Sequence, residues 1–141
     1  MESFDIVTLT VSPALDKTTH FAGLVPEQKI RCQAPTYDAG GGGINVSKAI
    51  ARLGGKSLAV FTSGGSAGMK IKELLDKDSI QYETIETQSW TRESFVAVDD
   101  NTNSQYRFSF PGTPITPIEK DKIIKNIERL KSKFLVISGS L

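Results

Sequence analysis

Short apolar, β-branched runs alternate along this chain with stretches whose apolar residues recur at helical spacing, and that order leaves few architectures open. Residues 4–11 (FDIVTLTV) read as a buried strand closed by the turn at Pro13. Ile44, Ala49, Ile50 and Leu53 share one helical face, and Gly54-Gly55 supplies the stop. Residues 57–61 (SLAVF) form the next buried strand, and a helix follows over Gly68–Lys77 with Ile71, Leu74 and Leu75 as its stripe. Near the end, Thr116-Pro117-Ile118-Glu119 is a capping box with proline at the first helical position. It opens a helix to about Lys131 that buries Ile123, Ile124, Ile127 and Leu130, and FLVIS (134–138) returns as a buried strand. A β-α-β-α order of this kind predicts an α/β fold with a parallel sheet and right-handed crossovers. Open sheets of that class place ligands at the carboxyl ends of their strands.

The middle of the chain has a different period. TTHFAG and KIRCQAPTYD read as extended segments separated by the turn-like LVPEQ. SFVAVDD and SQYRFSF alternate around a hairpin turn, NTNS, with Tyr106, Phe108 and Phe110 on one face and Gln105, Arg107 and Ser109 on the other. Alternation marks a half-buried antiparallel sheet. Strands within 17–38 and 94–110 are therefore expected to form a small separate sheet, whose apolar face a ligand, a domain or a second subunit must cover.

Composition narrows the function classes. The 141 residues suffice for one ordinary domain, and a net charge of +1 with interspersed signs gives no basis for nucleic-acid binding. No apolar run reaches the length of about 18 residues that spans a bilayer, so no membrane partner is expected. The start MESFDIVTLTV lacks the basic flank and long apolar core of a signal peptide. The single cysteine, Cys32, permits no internal disulfide and reads as a small apolar residue in a strand. These features predict a cytoplasmic chain.

The strongest local signal is the glycine run in YDAGGGGINVSKAIARLGG. Gly41, Gly42 and Gly43 let backbone approach a ligand closely, and the helix behind them offers free N–H groups; the same run could equally be a hinge. It matches neither G-x-G-x-x-G nor the P-loop, since Gly43 is followed by Ile-Asn-Val. Asn45 in the first helical turn could cap the backbone or bond a hydroxyl. Asp16 could accept from sugar hydroxyls or serve as a turn residue after Pro13. Arg92 in WTRES could grip a phosphate or pack beside Trp90. Lys29 and Arg31 project to one side of an expected strand. His20 has no partner at a telling spacing and reads as structural. No His, Cys or carboxylate set has metal-ligand spacing, and one histidine offers no credible Ser-His-Asp triad.

In order and spacing, TLTVSPALD, GGGGINVSKAIARLGG, SGGSAG, WTRES, YRFSFPG and LVISGSL resemble the N-terminal part of the PfkB branch of the ribokinase-like sugar kinases. Within that branch the chain resembles most the minor-type 6-phosphofructokinases. 1-Phosphofructokinases and tagatose-6-phosphate kinases typically read GGKGIN where this chain reads GGGGIN.

The resemblance implies a parallel α/β core with a β-sheet lid, lid strands at about 17–38 and 94–110, and a homodimer in which two lids clasp. It implies phosphorylation of fructose 6-phosphate to fructose 1,6-bisphosphate by ATP with Mg²⁺. By the same match Asp16 and Asn45 bind sugar hydroxyls, and Gly41 to Gly43 contact the sugar at the core–lid hinge. Arg92 and Ser140 hold the existing phosphate, and Lys29 adds charge there, across the dimer. The catalytic base and the nucleotide site are expected beyond Leu141, so no catalytic residue is assigned within the chain. A non-catalytic sugar-phosphate-binding or dimerisation module is the alternative. Ser47, where alanine is usual in relatives, is a small departure from the pattern.

Overall fold

The computed structural model describes residues 3–140. In chain order its elements are β1 (Ile6–Thr10), β2 (Ala14–Phe21), β3 (Thr36–Gly40), α1 (Gly42–Arg52), β4 (Leu58–Ser63) and α2 (Gly65–Lys77). They continue with β5 (Tyr82–Glu86), β6 (Arg92–Asp99), β7 (Ser104–Ser109), α3 (Pro117–Leu130) and β8 (Phe134–Ile137). β5-β4-β1-β8 form a parallel core sheet. β3-β2-β6-β7 form a second sheet, the lid, in which β3 and β7 are antiparallel to their neighbours while the central pair β2–β6 is parallel.

Alternation along the core strands sorts their side chains to two helical layers. Ala59 and Phe61 of β4 pack with Ile44 of α1 and Ile71 and Leu75 of α2. Val7, Leu9, Leu58 and Val60 pack against Ile123 of α3 on the opposite face. On the α1 side β1 presents threonines, and these are satisfied internally. Thr8 Oγ1 lies 2.8 Å from Ser47 Oγ, to which the Ser57 hydroxyl donates at 3.0 Å. Ser47 is thus the middle of a buried hydroxyl chain that an alanine there could not complete.

The capping box at α3 forms as expected: Thr116 Oγ1 accepts from the Glu119 N–H, and Glu119 Oε2 accepts from the Thr116 N–H. Glu119 Oε1 also accepts from Gln88 N, tying this helix to the loop that leads into β6. The two backbone donors, from Thr116 and then Gln88, hold the Glu119 carboxyl below its ordinary value. Thr116→Ala is expected to lower stability by about 1 kcal/mol, read as a lower urea midpoint at unchanged slope.

Several expectations change. Residues 29–35 are loop, with only Thr36–Gly40 in a strand, so Lys29 and Arg31 do not lie on a strand. The turn at Pro26 and Glu27, whose φ is 62°, runs on into that loop, and Pro35, which has no N–H for a ladder, closes it. Cys32 is accordingly exposed in the loop rather than packed in a strand. Asp16 belongs to β2 rather than to a turn, because the chain passes from β1 through Ser12-Pro13 directly into the lid.

β5 was not read from the sequence; YETIE is a short edge strand with one buried residue, Ile85. β8 was read as buried but is exposed, with Phe134 65%, Leu135 41% and Ile137 56% accessible. Among the described residues it pairs only with β1. Ile124 of α3 is likewise half-exposed, beside Ile137 in an apolar groove. No helix among the described residues is long and apolar enough to cross a membrane.

Candidate functional site

The glycine run is divided among three structural roles. Gly40 ends β3, Gly41 is the N-cap of α1, and Gly42 and Gly43 are its first residues. The chain turns there from lid to core, and Gly41 does so with a φ of 128°, which disfavours any other residue. Gly43 is required for a different reason. A Cβ on it would lie 2.5 Å from Thr10 Oγ1 and 2.7 Å from the Leu9 carbonyl oxygen. A Cβ on Gly42 would lie 2.6 Å from the Ser138 carbonyl carbon and 2.7 Å from Gly139 N. The helix start is therefore driven against the carboxyl ends of β1 and β8.

That packing uses up donors that could otherwise serve a ligand. Gly43 N–H donates to the Ser138 carbonyl at 3.1 Å, and Ile44 N–H donates to Thr10 Oγ1 at 2.9 Å. Of the orphan donors at a helix start, at most those of Gly41 and Gly42 are left for a ligand. Two donors do not make a triphosphate cradle, so the described residues of this helix start do not fit ATP. Asn45 is exposed and its side chain makes no hydrogen bond among the described residues. It is not a cap, since no side chain caps α1.

Above the glycines lies the polar face of the lid. Register places Asp16, Asp38, Ser94, Arg92 and Arg107 on one face of the four strands, with Asp16 directly opposite Asp38. The other face carries Tyr37, Phe95, Tyr106 and Phe108, with Phe95 and Phe108 stacked at 5.7 Å. The aromatic face is half covered: Leu15 and Ala39 at its near end join the core, while Phe108 is 51% accessible.

The Asp16 carboxylate is half-buried, lies over Gly40 and makes no hydrogen bond among the described residues. A Cβ on Gly40 would collide with its Oδ2 and lie 2.9 Å from its Cγ, so the fourth glycine makes room for this carboxylate. Burial, and then the Asp38 charge, push the Asp16 carboxyl above its ordinary value; Arg92, Lys48 and Arg107 pull the other way. A raised acid favours the fold while protonated and loses that contribution as pH rises through the raised value. Asp16→Asn, neutral throughout, is expected to melt above wild type at pH 7 and level with it at pH 3, as calorimetry at the two pH values would show.

Arg92 begins β6 opposite Ala14. Its guanidinium reaches the Phe110 and Ser12 carbonyls at the long distance of 3.4 Å, and its buried Nε has no hydrogen-bond partner among the described residues. The two long contacts hold the Nη groups weakly, and an anion is the partner that a guanidinium fork pairs with best. Ser140 follows β8 and lines the groove beside Ser12 and Gly112, which also border the cavity around Arg92. Asp16, Arg92, Asn45 and the glycines thus bear on the carboxyl end of the core sheet, with Ser140 at its margin. Lys29 stands apart, exposed in its loop.

Sequence reasoning missed Gly40, Asp38, Lys48 and Ser12. Gly40 and Asp38 need the lid register and Lys48 the packing of α1 on β3, which no local pattern gives. Ser12 could have been suspected from SPALD, one residue past the first strand.

Residues 2–141 match the pfkB family of carbohydrate kinases. The chain is 40% identical over 137 residues to ATP-dependent 6-phosphofructokinase isozyme 2 of Escherichia coli, covering 96% of this chain and 44% of that one. It is 42% identical over 138 residues to the enzyme of the same name from Mycobacterium tuberculosis (strain H37Rv), covering 96% and 41%. The crystal structure of phosphofructokinase-2 from Escherichia coli in complex with fructose-6-phosphate superposes with a TM-score of 0.91, at 40% identity, over 98% of this chain and 46% of that one. The chain spans less than half the length of the relatives it matches. The family match and the superposition each cover nearly the whole chain, and the chain belongs to the pfkB family of carbohydrate kinases.

Proposed function

We propose that this chain is the acceptor-binding and lid part of an ATP-dependent 6-phosphofructokinase. Fructose 6-phosphate is the acceptor and fructose 1,6-bisphosphate the product. Arg92 and Ser140 take the 6-phosphate, Asp16 and Asn45 orient the sugar hydroxyls, and the Gly41 and Gly42 backbone forms the floor. ATP with Mg²⁺ supplies the phosphoryl group and is held by residues outside this chain, as is the base that deprotonates the acceptor.

The observation that carries this reading is the pair of unsatisfied groups on one lid face. Among the described residues the buried Arg92 Nε has no hydrogen-bond partner, and the Asp16 carboxylate accepts no hydrogen bond. A cation beside a free carboxylate acceptor suits a polyhydroxylated anion better than a neutral sugar or a bare phosphate. The uncovered half of the aromatic lid face supports a homodimer through the lid.

Position 42 favours 6-phosphofructokinase over 1-phosphofructokinase or tagatose-6-phosphate kinase. The lysine typical of those enzymes there would meet the Ser138–Gly139 backbone on this main chain. The test is steady-state kinetics of the full-length natural protein with Mg-ATP. Fructose 6-phosphate is expected to be preferred by about tenfold or more in kcat/KM over fructose 1-phosphate and tagatose 6-phosphate. A tenfold preference for either competitor would overturn the substrate assignment. Tight sugar-phosphate binding without turnover would favour a binding module.

A further inference from the structure

Lys48 is the least expected cation in the fold. It sits on α1, in the core, yet its side chain is only 10% accessible. Its ammonium donates to Asp38 Oδ1 at 2.7 Å and to the Ala39 carbonyl. Both acceptors lie on β3, immediately before the glycine turn that joins lid to core. One core side chain thereby holds two of the last three residues of β3, just ahead of the hinge.

The held residue is also the one that most concerns the site. Asp38 lies directly opposite Asp16 on the neighbouring antiparallel strand. Like charges placed so are unfavourable unless a cation intervenes. The charged groups facing Asp16 are Asp38 from β3, Arg92 from β6, Arg107 from β7 and Lys48 from α1. Lys48 is the core member of that set, and the one with a direct bond to Asp38.

We propose that Lys48 is a positioning residue for the sugar site, clamping β3 to α1 through Asp38 and Ala39 so that the Asp38 charge is held off Asp16 and the carboxylate stays available to sugar hydroxyls. This rests on the acceptor-site reading above, and it assigns Lys48 no contact with substrate. Its consequence is electrostatic. Without Lys48, Asp38 is uncompensated and Asp16 protonates at higher pH.

The test compares wild type, Lys48→Met and Lys48→Arg in the full-length natural protein, with two readouts. The first is the Asp16 carboxyl titration followed by ¹³C NMR without ligand. The second is the pH profile of KM for fructose 6-phosphate. Lys48→Met is expected to move the Asp16 titration to higher pH and to raise KM about fivefold at pH 6, less at pH 8, with kcat changed by less than about twofold. Lys48→Arg is expected to restore both. An Asp16 titration in Lys48→Met that coincides with wild type would overturn the proposal.

Should Lys48→Met not fold, Asp38→Asn reads the same coupling with the opposite sign: Asp16 must titrate at lower pH than in wild type, and an unmoved titration would again overturn the proposal. The NMR readout needs no substrate. If wild type rejects fructose 6-phosphate, the acceptor-site reading fails while the Lys48–Asp38–Asp16 coupling is still decided.

Discussion

Replacing Arg92 by methionine is expected to raise KM for fructose 6-phosphate in the full-length natural protein by about 100-fold, equivalent to about 2.7 kcal/mol. The magnitude follows from truncating one partner of a partly buried charge-assisted contact, which leaves the substrate phosphate facing a low-dielectric wall. Among the described residues the guanidinium forms two long bonds at 3.4 Å and Nε has no partner. Methionine of similar length gives up little packing and removes a buried unsatisfied donor, so the melting temperature is expected to hold or rise slightly. Arg92→Lys is expected to recover only part of the loss, because an ammonium cannot reproduce the planar fork. A KM within threefold of wild type in Arg92→Met, with the fold intact, would remove the phosphate from this position.

The glycines at the start of α1 give the second large effect, this time on stability. Gly43→Ala places a methyl group 2.5 Å from Thr10 Oγ1, 2.7 Å from the Leu9 carbonyl oxygen and 2.9 Å from its carbon. Two of those three atoms are backbone of a central core strand and cannot rotate away. Helix propensity alone would favour alanine by about 1 kcal/mol, so the steric cost must exceed that for any loss to appear. Overpacking against fixed backbone, with loss of the Ile44–Thr10 hydrogen bond as the helix lifts, is expected to win by about 3 kcal/mol. At that size the melting temperature falls by about 10 °C. A stabilised Gly43→Ala would mean that the helix start is not seated on β1.

β1, β4 and the three helices are legible because each rests on a local signal. FDIVTLTV is rich in apolar and β-branched residues, LAVF is an apolar run, and the Thr116–Glu119 capping box forms through the expected bonds. β5 was not legible, since YETIE buries a single side chain and its pairing with β4 is a tertiary fact. β8 misled because the exposure of Phe134 and Ile137 depends on what pairs beyond β1, which its own four residues do not encode.

The site was readable as far as residue types go. Asp16, Asn45 and Arg92 were named from sequence, and the chain does place Asp16 and Arg92 on one lid face. Gly40 and Asp38 are hidden because they depend on register between strands separated by a loop, and Lys48 because its contacts need α1 folded back on β3. Lys29 illustrates the reverse error: KIRCQAPTYD reads as an extended segment, but the loop begun at LVPEQ continues to Pro35 and leaves only Thr36–Gly40 in a strand.

The most direct test of the central claim, that the glycine hinge holds the acceptor and not the nucleotide, is a crystal structure of the full-length natural protein with fructose 6-phosphate. The account predicts the phosphate within about 3 Å of the Arg92 guanidinium, and sugar hydroxyls donating to Asp16 Oδ1 or Oδ2 above Gly40. A structure with a nucleotide phosphate on Gly41 and Gly42, the sugar bound elsewhere and Arg92 still turned to the Ser12 and Phe110 carbonyls would contradict it.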